Sequence, residues 1–284
     1  MFPVRRLLAV LLVGLWSAGV GAQGTILLVG ETRFAAGRYG TDRAVSTLSV
    51  SAGAVVTTGR WRWWATVPIV FQDAGSVRTI GGGMVPVDSA LIARSGGGSG
   101  GMMGGGSGGG GRMAESGTGM ISNAGIGDPL LRLDMTLWGA PGGARALSLF
   151  TAVKVPLARP SDGFGSGRWD EAIGASVVQH RGALSLFVDA AYWNVGRVAE
   201  EPYRDAVVGA VTLARTLRGE RQRIFSSFVA TTPFAQGLDG SRQLGLGWIG
   251  MAPDGRALSV SATVGLSAAA PATTIVLGWQ WRRR

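Results

Sequence analysis

Cysteine is absent from the 284 residues, and His180 is the only histidine. The lack of cysteine excludes a small module held together by disulfides. Because the chain also has a single histidine, it cannot supply a metal centre built from Cys or from several of its own His residues. A Ser-His-Asp catalytic site would need His180 beside a serine and a carboxylate. His180 falls at a predicted turn next to Arg181, so we expect a solvated turn residue, no cofactor and no enzymatic activity.

Charged residues are scarce, at 15% of the chain, against roughly 25% in ordinary soluble domains. Glycine is abundant instead, with 48 residues, which disfavours coiled coils and α/β enzymes because both depend on good helix formers. Lysine occurs once, as Lys154, so arginine supplies nearly all of the positive charge. The net charge of +10 comes without a nucleic-acid-binding motif, and we predict no nucleic-acid partner.

Long hydrophobic runs are also missing, since no apolar stretch reaches the roughly 20 residues that a transmembrane helix needs. The apolar run at 7–16 follows Arg5 and Arg6 and is succeeded by small residues that end at Ala22. A basic start, a short apolar stretch and a small-residue exit are the parts of a secretory signal peptide. We therefore predict a signal peptide at 1–22 and a mature chain that crosses a membrane only as a β-barrel.

Apolar residues alternate with small or polar residues through most of the mature chain, for example in 131–138, 146–157 and 256–266. This period of two indicates strands with one apolar face. Twelve strands are predicted, at 25–36, 44–57, 60–71, 127–138, 145–157, 169–180, 183–195, 205–217, 222–233, 242–251, 256–266 and 273–282.

The links between these strands alternate in length. Those after the second, fourth, sixth, eighth and tenth strands are short and contain glycine, which supplies the positive φ of tight hairpins. Short turns at one end, long loops at the other and an even strand count are typical of bacterial outer-membrane barrels. We predict an all-β fold in which residues 23–284 form a single antiparallel transmembrane β-barrel of about 12 strands with both termini periplasmic. A soluble secreted β-sandwich is the alternative.

Tryptophan placement favours the barrel over the sandwich. The nine tryptophans that follow the predicted signal peptide fall near predicted strand ends, seven at the short-turn end and Trp169 and Trp193 at the long-loop end. Aromatic side chains favour the two interfaces of a membrane, where a ring is half apolar and half wet. In a sandwich, tryptophan would concentrate at mid-strand core positions instead.

Residues 72–124 differ in kind from the rest of the chain. Their centre, 95–111, holds 12 glycines in 17 residues. Such a composition buries too little apolar surface to offset backbone entropy. No Gly-Lys-Ser/Thr sequence follows, which disfavours a phosphate-binding loop. We predict a long, Gly-rich, disordered extracellular loop.

Three short motifs follow this segment in order: Gly125-Ile126-Gly127-Asp128, Lys154-Val155-Pro156 and Gly165-Ser166-Gly167-Arg168-Trp169-Asp170. They resemble the outer-membrane β-barrel transporter family named after the meta pathway of phenol degradation. In that family a G-[LI]-G-D strand start precedes K-[LV]-P-T-G-D and G-[ST]-G-x-x-D. This chain departs from the pattern after Pro156, where residues 157–162 replace the compact T-G-D. It also ends in three arginines, whereas many such barrels end on an aromatic residue.

The resemblance implies an outer-membrane channel or transporter for passive passage of small molecules, with apolar or aromatic ones as the suggested class. It implies no catalytic residues. Gly125, Gly127, Asp128 and Asp170 form a rim motif, which either contacts a ligand or simply caps and bends the strands at the rim. The alternative function is a non-conducting structural or assembly barrel whose lumen is plugged. An outer-membrane lipid-modifying enzyme is less favoured.

Alternation predicts five lumen-lining charges on four consecutive strands: Arg132, Asp134, Lys154, Glu171 and Asp189. Adjacent strands lie ~4.8 Å apart, so these charges can form one polar patch. The patch either contacts a solute or is an ion-pair network that plugs the lumen.

Arginines cluster at the predicted short turns, among them Arg218, Arg221 and Arg223. The planar guanidinium binds phosphate through a fork of donors, so contact with outer-membrane lipids is expected, although solvated turns explain these residues equally well. The other expected partners are a small-molecule solute and the barrel-assembly machinery.

Overall fold

The computed structural model describes residues 24–40, 44–72, 77–80, 83–86, 123–140, 143–158, 164–197, 203–217 and 221–282. No helix in this described part of the chain is long and apolar enough to cross a membrane. The predicted signal peptide, 1–22, lies outside the described residues.

The described residues form fifteen strands. They are β1 (Thr25–Gly37), β2 (Val45–Thr58), β3 (Trp61–Gln72), β4 (Val77–Ile80), β5 (Gly83–Pro86), β6 (Asn123–Ile126), β7 (Leu130–Gly139), β8 (Arg145–Lys154), β9 (Asp170–Arg181), β10 (Leu184–Asn194), β11 (Ala206–Thr216), β12 (Gln222–Thr231), β13 (Arg242–Met251), β14 (Ala257–Gly265) and β15 (Thr273–Arg282).

The twelve long strands pair antiparallel into one closed sheet. Each pairs with the next long strand of the chain, and β1 also pairs with β15 over ten residues. β3 pairs with β7 and so closes the gap left by the three short strands. A closed sheet has no unpaired edge, which is the condition for placing strands in lipid. The predicted all-β fold, a single antiparallel transmembrane β-barrel of about 12 strands, is confirmed.

The two ends of the barrel differ in their connections. The short-turn end carries the links at 59–60, 140–144, 182–183, 217–221 and 252–256 together with the start of β1 and the end of β15. Gly59 and Gly182 open two-residue turns with φ of 55° and 58°, a backbone region that residues with a Cβ rarely adopt. The opposite end is the long-loop end.

The outer surface of the barrel is apolar all the way round. Each of the twelve strands carries at least one exposed large apolar side chain, and Leu246 in the middle of β13 is 68% exposed. A continuous apolar belt of this extent is stable against lipid and unstable against water. Trp61, Trp138 and Trp281 are exposed at the short-turn end, where an aromatic girdle is expected.

Trp193 corrects the predicted girdle at the long-loop end. Its side chain is only 6% exposed, whereas its neighbour Tyr192 is 48% exposed. Alternation along β10 sends Tyr192 outward and Trp193 into the barrel.

Short strands lie within the segment predicted as a loop, 72–124. Gln72 still belongs to β3, β4 and β5 pair with each other, and β6 pairs with the end of β3. The few described residues of this segment are strand, and the loop itself stays a prediction. Its glycine-rich centre, 95–111, lies outside the described residues.

Candidate functional site in the barrel interior

Lys154 ends β8 inside the barrel, with a side chain only 1% exposed. Its Nζ lies 2.8 Å from Asp128 Oδ2 and 3.2 Å from Asp170 Oδ2, and it donates to Ser166 Oγ at 2.9 Å. An ammonium has three N–H donors, so these contacts use its full capacity. We call Lys154, Asp128, Asp170 and Ser166 the Lys154 cluster.

The two carboxylates of the cluster also accept backbone hydrogen bonds from loops. Asp128 Oδ1 accepts from the Ala158 N–H at 2.9 Å, and Asp170 Oδ1 accepts from the Gly196 N–H at 3.0 Å. Burying charges costs several kcal/mol per ion unless each is paired and hydrogen-bonded. The cluster meets that condition, and it ties the loops after β8 and β10 to the barrel wall.

Glycines of the sequence motifs make room for this cluster. A Cβ on Gly165 would lie 2.3 Å from Asp128 Oδ2, and a Cβ on Gly125 would lie 2.4 Å from the Phe164 ring. A Cβ on Gly127 would lie 3.0 Å from Pro68 Cγ. These close approaches explain the glycines by packing.

The four predicted rim residues thus lie together at the long-loop end. The predicted fourth strand was to begin at 127, but β7 begins at Leu130 because Asp128 turns inward to Lys154. Sequence reasoning missed two features, the junction of all three motifs at Lys154 and the role of Ser166. The order of the motifs along the chain was the only signal for either feature.

An apolar cluster lies beside the Lys154 cluster. Loop residues Tyr203 and Phe234 pack against inward-facing strand residues, and the Arg204 N–H donates to the Phe234 carbonyl at 2.8 Å. Small side chains on the inner wall leave space for these rings. The buried members are Ala152, Ala172, Trp193, Val195, Tyr203, Ala206, Phe234 and Ala235. Together the two clusters fill the lumen near the long-loop end.

Toward the short-turn end, the wall encloses a cavity of about 430 Å³, which we call the short-turn cavity. Its charged lining consists of four arginines and two aspartates: Arg60, Arg62, Arg132, Arg223, Asp134 and Asp189. Arg132 Nη2 contacts Asp134 Oδ1 at 2.6 Å, and the Arg132 guanidinium lies 3.8 Å from the centre of the Phe150 ring. Asp189 accepts a hydrogen bond from Ser176 Oγ.

Four of the five residues predicted to line the lumen lie on the inner wall, but in two places. Arg132, Asp134 and Asp189 line the short-turn cavity, whereas Lys154 is buried in its own cluster. The predicted single patch is therefore divided.

The prediction for the fifth residue, Glu171, is wrong, because this residue lies on the outer face of β9. Ile173 and Val177, which share its face, are 63% and 46% exposed, while Asp170 and Ala172 are 0% and 5% exposed. Two acidic residues stand next to each other at the start of this strand. A shift of one residue exchanges the faces of a strand, so Asp170 takes the inward position.

His180 is also not the solvated turn residue that we predicted. It lies half-buried on the inner face of β9, with Nδ1 2.6 Å from Ser185 Oγ and the ring edge-on to Phe187 at 5.8 Å. Within the described ranges, no carboxylate forms an ion pair or a hydrogen bond with its imidazole. A Ser-His-carboxylate triad is thus not assembled in this part of the chain.

Arg223 was predicted beside a short turn, in contact with lipid head groups or with solvent, but it faces the lumen from β12. It lines the short-turn cavity, and its Nε is buried without a hydrogen-bond partner. Arg218 lies outside the described residues.

No protein-family model matches the chain, and no curated protein sequence matches it. Among solved structures, the barrel is similar to the COG4313 outer membrane channel from Pseudomonas putida F1. The TM-score is 0.60 at 12% identity, over 92% of this chain and 96% of that chain.

Two further structures superpose less well. The outer membrane channel DcaP of Acinetobacter baumannii gives a TM-score of 0.38 at 9% identity, over 92% of this chain and 97% of that chain. The beta domain of the Bordetella autotransporter Brka gives 0.45 at 12% identity, over 91% and 98%. The similarity to the Pseudomonas channel defines the class of fold, an outer-membrane β-barrel.

Proposed function

We propose that the protein is a passive channel of the Gram-negative outer membrane for small molecules, with apolar or aromatic ones as its solute class. The observation that carries the proposal is the short-turn cavity, about 430 Å³ of charged space inside a closed barrel. A purely structural barrel of this width would be filled with packed side chains. Charged walls suit a water-filled interior.

The apolar cluster supports the proposed solute class. A molecule that enters at the long-loop end meets Trp193, Tyr203 and Phe234 before it reaches the charged wall. Aromatic rings pack against such side chains in offset or edge-to-face geometries. Two of these three rings, Tyr203 and Phe234, belong to loops, so their displacement opens a path without breaking the barrel.

Orientation and partners belong to the same proposal. Short turns face the periplasm in bacterial outer-membrane barrels, which puts both ends of this chain there. Insertion by the barrel-assembly machinery and contact with outer-membrane lipids follow from that location, and the motif resemblance to the phenol-degradation family supports it. Cell fractionation with a heat-modifiability gel tests the location, since a soluble periplasmic protein without a heat shift would contradict it.

A non-conducting barrel is the second candidate, and the filled long-loop end favours it. The Lys154 cluster and the apolar cluster both occupy the lumen there. The two functions differ in one measurable quantity, the flux of solute across a membrane that contains the protein.

Liposome swelling measures that flux. p-Nitrophenyl glucoside is an uncharged aromatic solute that crosses lipid slowly, and sucrose is a non-aromatic solute of similar size. We expect the wild-type protein to admit the aromatic solute faster than sucrose. Trp193→Ala with Phe234→Ala should raise the flux of both, whereas Trp138→Ala, on the outer face, should leave them unchanged. Swelling no faster than in protein-free liposomes, for wild type and double variant alike, would establish the non-conducting barrel.

A further inference from the structure

Three arginines of the short-turn cavity, Arg60, Arg62 and Arg223, have no acidic partner among the described residues. Arg60 donates to the Leu137 carbonyl at 3.2 Å, which leaves Arg62 and Arg223 available to a ligand. Arg62, on β3, stands opposite Asp134 in the strand register, yet Asp134 is held by Arg132 through contacts of 2.6 and 3.0 Å. Arg223 forms no ion pair within the described ranges, and its Nε is buried without a hydrogen-bond partner. Buried donors without partners are uncommon in folded proteins, so a missing acceptor explains the buried Arg223 Nε.

The two arginines face each other across the lumen. β12 lies six strands away from β3 around the ring of twelve, which is the opposite wall. Both side chains nevertheless line the same cavity, so one ligand in the cavity can contact both of them. A planar acceptor between them can receive two N–H donors from each fork.

The charge of the cavity limits the acceptor. Four arginines and two aspartates line it, and Arg132 with Asp134 neutralise one another. Asp189 stays on the wall, hydrogen-bonded to Ser176. The four arginines exceed the two aspartates by two positive charges. This excess matches a monoanion better than a polyphosphate.

Apolar side chains supply the rest of the lining. Phe187, Ala146 and Val178 line the cavity beside the charged groups. Its volume of about 430 Å³ falls within the range of roughly 300–1,000 Å³ for small-molecule sites. A ligand here needs one anionic end and one compact apolar body.

The geometry points to a binding site for small organic carboxylates, with the carboxylate held between Arg62 and Arg223 and the apolar body against Phe187. This inference rests on the proposed channel function and specifies its solutes further, as amphipathic monoanions. The apolar cluster at the other end admits the apolar body, and the arginine pair receives the carboxylate.

Equilibrium dialysis with the full chain folded in detergent tests the site without any need for conduction. The probes are benzoate, its neutral analogue benzyl alcohol and the cation benzylamine. We expect saturable binding of benzoate and at least tenfold weaker binding of the other two. Arg62→Gln with Arg223→Gln should weaken benzoate binding at least tenfold, because hydrogen bonds to charged groups are lost. Arg215→Gln with Arg242→Gln, two exposed arginines, is the matched control and should bind benzoate as the wild type does.

The wild-type probe series keeps the test decisive if the double variant fails to show a heat-modifiable, folded band. Benzyl alcohol that binds as tightly as benzoate would overturn the site. A folded double variant with unchanged benzoate affinity would overturn it as well. A barrel that binds benzoate but passes no solute would refute the channel function and support the binding site. A conducting barrel that binds no benzoate would refute the binding site and support the channel function.

Discussion

Lys154→Met removes the one positive charge of the Lys154 cluster and keeps an unbranched side chain of similar length. The carboxylates of Asp128 and Asp170, whose side chains are 0% exposed, then share a buried space without a cation. Removing one partner of a buried ion pair costs about 3–5 kcal/mol. We expect the free energy of unfolding to fall by that amount, which lowers the ratio of folded to unfolded protein by roughly 10² to 10⁴.

Urea titration in detergent micelles measures this change, with tryptophan fluorescence and the heat-modifiable gel band as two probes of unfolding. Titrations must be run in both directions, because a free energy requires reversibility. A triple variant, Lys154→Met with Asp128→Asn and Asp170→Asn, removes all three charges. It should recover most of the loss, since no uncompensated charge stays buried and each Asn still accepts a backbone hydrogen bond.

The matched control is Arg256→Met, which breaks an exposed ion pair. Arg256 Nε lies 2.7 Å from Asp254 Oδ2, and the Arg256 side chain is 65% exposed. Exposed pairs contribute about 0–1 kcal/mol. If Lys154→Met costs no more than Arg256→Met, or if the triple variant is less stable than the single one, the buried ion pairs do not stabilise the barrel as expected.

Three further predictions concern stability. Gly165→Ala should lower the free energy of unfolding by about 1–3 kcal/mol, because its Cβ would lie 2.3 Å from Asp128 Oδ2. The control is Gly209→Ala, where the atom nearest to an added Cβ is 3.9 Å away. Equal effects of the two variants in urea titration would contradict close packing at Gly165. Leu246→Arg should cost about 2–4 kcal/mol in folding into lipid vesicles, and a cost as small as that of Leu246→Ala would contradict its lipid contact. Burial raises the pKa of Tyr39 to about 12, against the opposing effect of Arg33. The unfolded chain loses this proton near pH 10 and the folded chain retains it, so stability should fall between about pH 10 and 12; Tyr39→Phe should reduce that fall, and an unchanged pH profile of unfolding would refute the assignment.

The strand count could be predicted because lipid and lumen impose opposite demands on successive residues. On β14, Leu258 and Val260 are exposed to the outside and alternate with small polar residues on the inner wall. The pattern repeats on each long strand, so twelve strands were visible in the sequence and were confirmed. The ends of these twelve strands differ from the predicted ends by up to three residues, where side chains such as Asp128 leave the sheet.

The predicted positions of Glu171 and Trp193 were wrong, each for its own reason. The face of a residue near a strand end depends on the register with its neighbours, and Lys154 pairs with Asp170 in that register. Local alternation does not specify this pairing when two acidic residues are adjacent. Trp193 obeys its alternation, but loop residues cover it from within the barrel, and loop packing leaves no periodic signal.

The Lys154 cluster shows the same limit at the candidate site. The three motifs were evident in the sequence, but they were assigned to a rim and to a lumen patch separately. Their junction depends on the closed barrel, which brings the start of β7, the end of β8 and the start of β9 together. The pairing of Arg62 with Arg223 could likewise not be predicted, since the two residues are far apart in sequence and line the same cavity from opposite walls.

Single-barrel recordings in planar lipid bilayers show whether this barrel is a channel. We expect discrete conductance steps with the wild-type protein and larger steps when Trp193 and Phe234 are both replaced by Ala. Benzoate should reduce the current of the wild type more than benzyl alcohol does. Barrels that fold, as shown by a heat-modifiable band, yet carry no current in either form would not be channels.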